Sequence, residues 1–178
     1  DGAYVLGEDI SLANVASLNI EGSVTLCLAG HDLDMGANYI GFSGSNSTLR
    51  ICDCAKEDKG EIRSTSSSGV VLIYGKHTLE LYETLLSGTS YAVNNQSGQV
   101  KVYGATLSAV NSADRGYAYT LLASGGTVTL EGATLIGEAE TVYTLNVMNG
   151  CVVSMKDSTV IAKAKNAYAV LLSDGVEA

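Results

Sequence analysis

Apolar residues return along this chain with two nested periods. Within short windows they alternate with polar residues, and the windows themselves recur about every 25 positions. From Gly126 the chain reads GTVTLEGATLIGEAETVYTLNVMNG and from Cys151 it reads CVVSMKDSTVIAKAKNAYAVLLSDG, which align over 25 residues without a gap. Shorter matches precede them: GSVTLCLAGHDLDM, STLRICDCAKEDKGEIRS, KHTLELYETLLSG and SGQVKVYGATLSAV. Three columns follow. The first holds Val24, Leu49, Leu79, Val100, Val128 and Val153; two residues on come Leu26, Ile51, Leu81, Val102, Leu130 and Met155. After a turn come Leu33, Ile62, Leu86, Leu107, Leu135 and Val160. Alternation of this kind is the signature of a half-buried strand, here twice per repeat.

A third strand closes each repeat. Tyr91, Tyr119, Tyr143 and Tyr168 each stand seven residues before a glycine, at Gly98, Gly126, Gly150 and Gly175. The glycines read as corners that need a positive φ. The tyrosines share parity with Val93, Leu121, Leu145 and Val170, so stacked rings lining a corner of the core are expected, the alternative being a row of phenols presented to a ligand. Three short strands per repeat, in register, predict an all-β fold: a parallel β-helix (β-solenoid) of about seven rungs of ~25 residues, spanning 1–178 as one unit. The crossover preference of parallel strands predicts a right-handed coil. No 3.6-residue stripe lies between the strands, which excludes a βαβ reading. Two insertions fall at corners, Asp53–Gly60 and Asn111–Gly116, since a strand cannot absorb extra residues without flipping its faces.

Composition narrows the partners. The net charge is −9 with only ten basic residues, scattered, so nucleic acid is not expected as a partner. No apolar run approaches the ~18 residues of a membrane helix, and membrane insertion is not expected. The chain starts and stops in mid-pattern, as a segment of a larger protein with neighbouring domains is expected to do.

The outward positions of the first strand form two ladders. One runs Thr25, Arg50, Glu80, Lys101, Thr129, Ser154; the other runs Cys27, Cys52, Tyr82, Tyr103, Glu131, Lys156. Opposite charges stand next to each other across rungs, as on any solvated sheet face. The sharper expectation is a ligand-binding strip for glycans, with Tyr82 and Tyr103 as a stacking platform flanked by Arg50, Glu80 and Lys101. Cys27 and Cys52 share a slot on consecutive rungs, with Cys54 two residues on. The thiols are open to three readings: free and packed under the Asp53–Gly60 loop, a Cys27–Cys52 disulfide, or a metal site of Cys27, Cys52, Cys54 and His31. Cys151 stands apart and reads as a small apolar residue. Asp32 and Asp34 form the one Asp-x-Asp pair, following a strand. No nucleophile elbow, HExxH, P-loop or dinucleotide fingerprint is present, and no cofactor is expected. Acids on the ladders stand singly beside bases, unlike the convergent carboxylates that glycoside hydrolysis needs. No catalytic residue is therefore assigned, and the expectation is that the protein is not an enzyme.

At VTLCLAGHDLDM, followed by LRICDC and GEI, the chain resembles the pectin-lyase-like right-handed β-helix repeats of secreted, cell-surface proteins of gut Gram-positive bacteria. The residues that carry the resemblance are Leu26, Cys27, Leu28, Gly30, His31, Cys52, Asp53 and Cys54, within roughly residues 22–62. LAGHDL stands where that class usually has LNGHTI. The resemblance implies a secreted or surface location and an adhesin-like or spacer role, contacting host or plant glycans or a surface protein. It transfers no catalytic residues. The competing expectation is a polysaccharide lyase or hydrolase on the same fold, or its noncatalytic remnant.

Overall fold

A residue type that returns at the same slot every rung must lie against its own counterpart one rung away, and the strand register has this form throughout. The computed structural model describes residues 1–113, 116–173 and 175, in which 21 strands and no helix are found. They form three seven-stranded sheets, every pairing parallel and every neighbour the equivalent strand of the adjacent rung. The first sheet runs from Gly2–Val5 through Ser23–Cys27, Thr48–Cys52, Thr78–Tyr82, Gln99–Tyr103 and Thr127–Glu131 to Val152–Lys156. The second and third sheets run in step with it, so the chain is a β-solenoid of about seven turns.

The three apolar columns pair residue for residue. Val24 meets Leu49, Leu49 meets Leu79, then Val100, Val128 and Val153 follow. Leu33, Ile62, Leu86, Leu107, Leu135 and Val160 stack in the second sheet. Columns from all three sheets meet in one core, in which Leu49, Ile51, Ile62, Leu79, Leu81, Leu86, Leu107 and Leu121 are fully buried. Each such side chain contributes about 1.5–3 kcal/mol by leaving water, so the solenoid is held mainly by these stacks. Exposure rises towards the two ends of the stack, where Tyr4 is 60% and Met155 49% exposed although both hold inward slots.

The tyrosines depart from expectation. Tyr91, Tyr119, Tyr143 and Tyr168 do stack in register, with ring centroids 4.9–5.2 Å apart, but they stand on the outside of the third sheet and not in the core. The cause is a bend immediately after them. Ala92, Thr120 and Thr144 are buried, and so are the next residues, Val93, Leu121 and Leu145. Two consecutive residues therefore face inward, and the parity counted back to the tyrosine is inverted. The buried hydroxyls at the bend are satisfied: Thr120 Oγ1 donates to the Ile136 carbonyl at 2.8 Å and Thr144 Oγ1 to that of Ile161 at 3.1 Å.

The corner glycines mostly behave as their spacing predicts. Gly126, Gly150 and Gly175 have φ between 70° and 79°. Gly98 is the exception; its need for glycine is spatial, because a Cβ there would press on Ile73 and on the His77 carbonyl oxygen. The Asp53–Gly60 insertion lies between the first-sheet strand Thr48–Cys52 and the second-sheet strand Glu61–Ser64. The other expected insertion, Asn111–Gly116, lies between Thr106–Val110 and Tyr117–Ser124; its Asp114 and Arg115 fall outside the described residues. Among the described residues no helix is long and apolar enough to cross a membrane.

Candidate functional site

Strand parity puts Arg50, Glu80 and Lys101 outward on three adjacent strands, directly opposite one another in register, and Tyr82 and Tyr103 outward two residues further on. All five residues expected to form a binding strip come together. Glu80 is the hub. Its carboxylate accepts from Arg50 Nε at 3.0 Å and Nη2 at 2.8 Å through one oxygen, and from Lys101 Nζ at 3.1 Å through the other. The Glu80 side chain is 11% exposed against 51% for Arg50 and 36% for Lys101, so the acid lies beneath its two bases. Burial alone would raise the Glu80 carboxyl, but the hydrogen bonds and charges of Arg50 and Lys101 outweigh it and hold the group below its ordinary value.

The aromatic pair is arranged differently from a flat platform. Tyr82 and Tyr103 stack on each other, with centroids 5.0 Å apart and planes 18° from parallel. On the opposite side, from the preceding rung, the Arg50 guanidinium lies over Tyr82 at 5.4 Å. Both faces of Tyr82 are thus occupied. The face left for a ligand is that of Tyr103 on the Glu131 side. It borders a shallow groove of about 510 Å³ lined by Cys52, Asp53, Tyr82, Glu83, Tyr103, Gly104 and Glu131. Gly104, in the groove wall just after Tyr103, has φ 62°, and the chain turns there without a side chain.

Three acids at this groove, Asp53, Glu83 and Glu131, were not brought together by the sequence ladders. Each already has a partner. Glu83 pairs with Lys59 at 3.3 Å and Glu131 with Lys156 at 3.1 Å. Asp53 is structural: one oxygen accepts from the Gly30 and Ala55 amides at 3.1 and 2.8 Å, and the other from the Gly60 amide at 2.6 Å. The only signal in the sequence was an acid at the mouth of an insertion, one rung after a glycine turn. Such a carboxylate is an anchor for backbone, not a free acid or base.

The cysteines correct one pairing. Cys27 and Cys52 are Cα partners on adjacent strands, as their slot required. The Cys27 sulfur, however, meets Cys54 at 2.6 Å, while Cys52 Sγ points to the Leu26 carbonyl at 3.7 Å. Side chains at one slot of parallel neighbours run alongside each other, whereas the turn at Asp53 swings Cys54 back over Cys27. All four cysteines are free thiols, and Cys151 is buried at the corner before Val152–Lys156. The set Cys27, Cys52, Cys54 and His31 does not assemble as a metal site. His31 Nδ1 lies 3.4 Å from Asp9, and among the described residues no three His, Cys, Asp or Glu side chains converge to hold an ion. Asp32 and Asp34 are bridged by Arg63, at 3.0 and 3.5 Å, and each also accepts a backbone amide, from Glu61 and Gly36. That leaves the Asp-x-Asp pair sharing one arginine at the surface, its charge half offset. No family model matches the chain, and comparison with curated proteins and with solved structures finds no similar protein.

Proposed function

We propose that the chain is a non-catalytic binding module of a secreted, cell-surface bacterial protein, adhesin-like, which contacts glycans through the open face of Tyr103. The observation that carries this reading is the convergence of Arg50, Glu80, Lys101, Tyr82 and Tyr103 into one patch whose single free aromatic face borders a groove. A sugar ring lying on that face would find hydrogen-bonding carboxylates and ammonium groups at the rim, in Glu83, Lys59 and Glu131. Their charges are paired, which favours neutral sugars over polyuronides. The surface location rests on the resemblance of the LCLAGH and CDC segments. Weak contacts of this size become useful when many copies are displayed on one cell.

The competing reading, a polysaccharide lyase or hydrolase or its noncatalytic remnant, draws less support. Cleavage needs an acid and a second carboxylate, or an acid and a free base, converging on one bond. At this groove Asp53 is committed to backbone amides and Glu83 and Glu131 to lysines. The test is a glycan array of host mucin and plant oligosaccharides, run with the wild type and with Tyr82 and Tyr103 both changed to alanine. Binding that disappears in the double variant supports the reading. Binding that persists leaves a spacer role ahead. Reducing sugar released from any polysaccharide by the wild type overturns the non-catalytic assignment.

A further inference from the structure

Cys27 ends the strand Ser23–Cys27 and is 8% exposed, while Cys54 lies in the Asp53–Gly60 loop and is open to solvent. Their sulfurs are in direct contact, 2.6 Å apart. We propose that Cys27 and Cys54 form a thiol–disulfide exchange site, whose bridge is closed by a small-molecule disulfide, reopened by a thiol, and locks the Asp53–Gly60 loop onto the preceding rung.

The two sulfurs suit different halves of that chemistry. Exposed Cys54 is the one a bulky disulfide RSSR can reach. Its sulfur gives up its proton, attacks one sulfur of RSSR and forms a mixed disulfide, with RS⁻ leaving. Cys27 then attacks the Cys54 sulfur, the S–S bond to the second R group breaks, and a second RS⁻ leaves. Two protein thiols are oxidised, RSSR is reduced, and the two protons end on the released RSH. Proximity favours Cys27 as the resolving group, and its surroundings favour its thiolate. Burial alone would raise it, but hydrogen bonds from the Cys54 thiol and from the backbone amides of Cys54 and Ala29 hold it below the ordinary thiol value. The hydrogen bond with Cys27, and burial after it, hold Cys54 above it.

The loop is already organised for closure. Asp53 accepts the Gly30 amide of the preceding rung, which fixes where Cys54 can stand. Cys52 is left out of the bridge and stays a free thiol at the groove beside Tyr82.

The sequence makes the test clean. A proteinase that cleaves before aspartate puts Cys27 in fragment 9–31, Cys52 in 34–52 and Cys54 in 53–57. After incubation with excess oxidised glutathione, fragments 9–31 and 53–57 are expected to be joined and two hydrogens lighter than their sum. The thiols titrated on denaturation are expected to fall from the four of the sequence by the pair in the bridge, and dithiothreitol restores them. Cys52→Ser keeps this bridge and Cys54→Ser abolishes it. Trypsin cleavage after Lys56 in the oxidised protein slows about threefold or more if the loop is locked. Fragments 9–31 and 34–52 joined instead, no loss of thiols, or unchanged cleavage after Lys56 would each overturn the proposal.

Discussion

Gly60 lies flat against the backbone of His31, one rung earlier. A Cβ on Gly60 would overlap the His31 carbonyl oxygen and come within 2.9 Å of its amide nitrogen. Gly60 has no positive φ, so its requirement is space and not backbone freedom. With Gly30 giving its amide to Asp53, this contact ties the LAGH turn to both ends of the inserted loop. The segments that carry the resemblance to surface β-helix proteins are therefore, in this chain, the parts of one packed corner.

Gly60→Ala is expected to destabilise the protein by about 2–3 kcal/mol, because backbone faces backbone and no flexible side chain can yield. Equilibrium urea unfolding measures it. A cost below about 0.5 kcal/mol, the range of an ordinary surface substitution, would show that the corner relaxes and that the close approach is not required.

The columns were legible because an inward apolar slot followed by an outward polar one recurs in every rung, and a register error of one residue would have exposed all eighteen positions. What the pattern did not reveal was local. The bend at Ala92, Thr120 and Thr144 breaks the alternation, so parity counted through it puts the tyrosines in the core although they stack outside it. A threonine just before Leu121 and again before Leu145 was the available sign, since a buried hydroxyl there needs a carbonyl from the second sheet. Cys54 could not be placed by slot, because its position is set by three amides converging on Asp53 and not by strand periodicity.

Asp53→Ala tests that anchor. It leaves the Gly30, Ala55 and Gly60 amides without their acceptor, of which the Gly60 contact is fully buried. The expected loss is about 2–3 kcal/mol, concentrated in the loop. Limited trypsinolysis under native conditions is expected to cut after Lys56 and Lys59 well before the wild type is cut there. Equal rates at both sites would mean that the loop is held by something other than the aspartate.

Tyr82 and Tyr103 are expected to separate. Tyr82 is held between Arg50 and Tyr103, so Tyr82→Ala mainly costs stability, about 1 kcal/mol from the stack and the cation–π contact. Tyr103→Ala removes the aromatic face that this patch leaves open and is expected to weaken glycan binding at least fivefold, about 1 kcal/mol. Affinities of the two single variants for the glycan that binds best on the array, beside their unfolding midpoints, make the comparison. An equal loss of affinity in both, with Tyr82→Ala still stably folded, would mean the ligand does not lie on Tyr103.

Glu80 makes a pH-dependent contribution with a definite sign. Its carboxyl is held below its ordinary value in the folded protein by Arg50 and Lys101, so the folded state binds this proton less readily than the unfolded state. The stabilisation is therefore fully present above about pH 4.5 and is lost as pH falls through the lower, folded value. Arg50 and Lys101 are partly exposed and screened, which limits the contribution to about 1–2 kcal/mol. Glu80→Gln keeps the shape but cannot carry the charge, and it leaves the two bases facing each other. Its stability is expected to lie below the wild type by that amount at neutral pH, with the gap closing in acid as the wild-type carboxyl is protonated. Other carboxylates, such as Asp9, titrate in both proteins and cancel in the difference. A gap that stays constant into acid would mean that Glu80 acts through packing, and that its two ion pairs contribute nothing to holding the first sheet together.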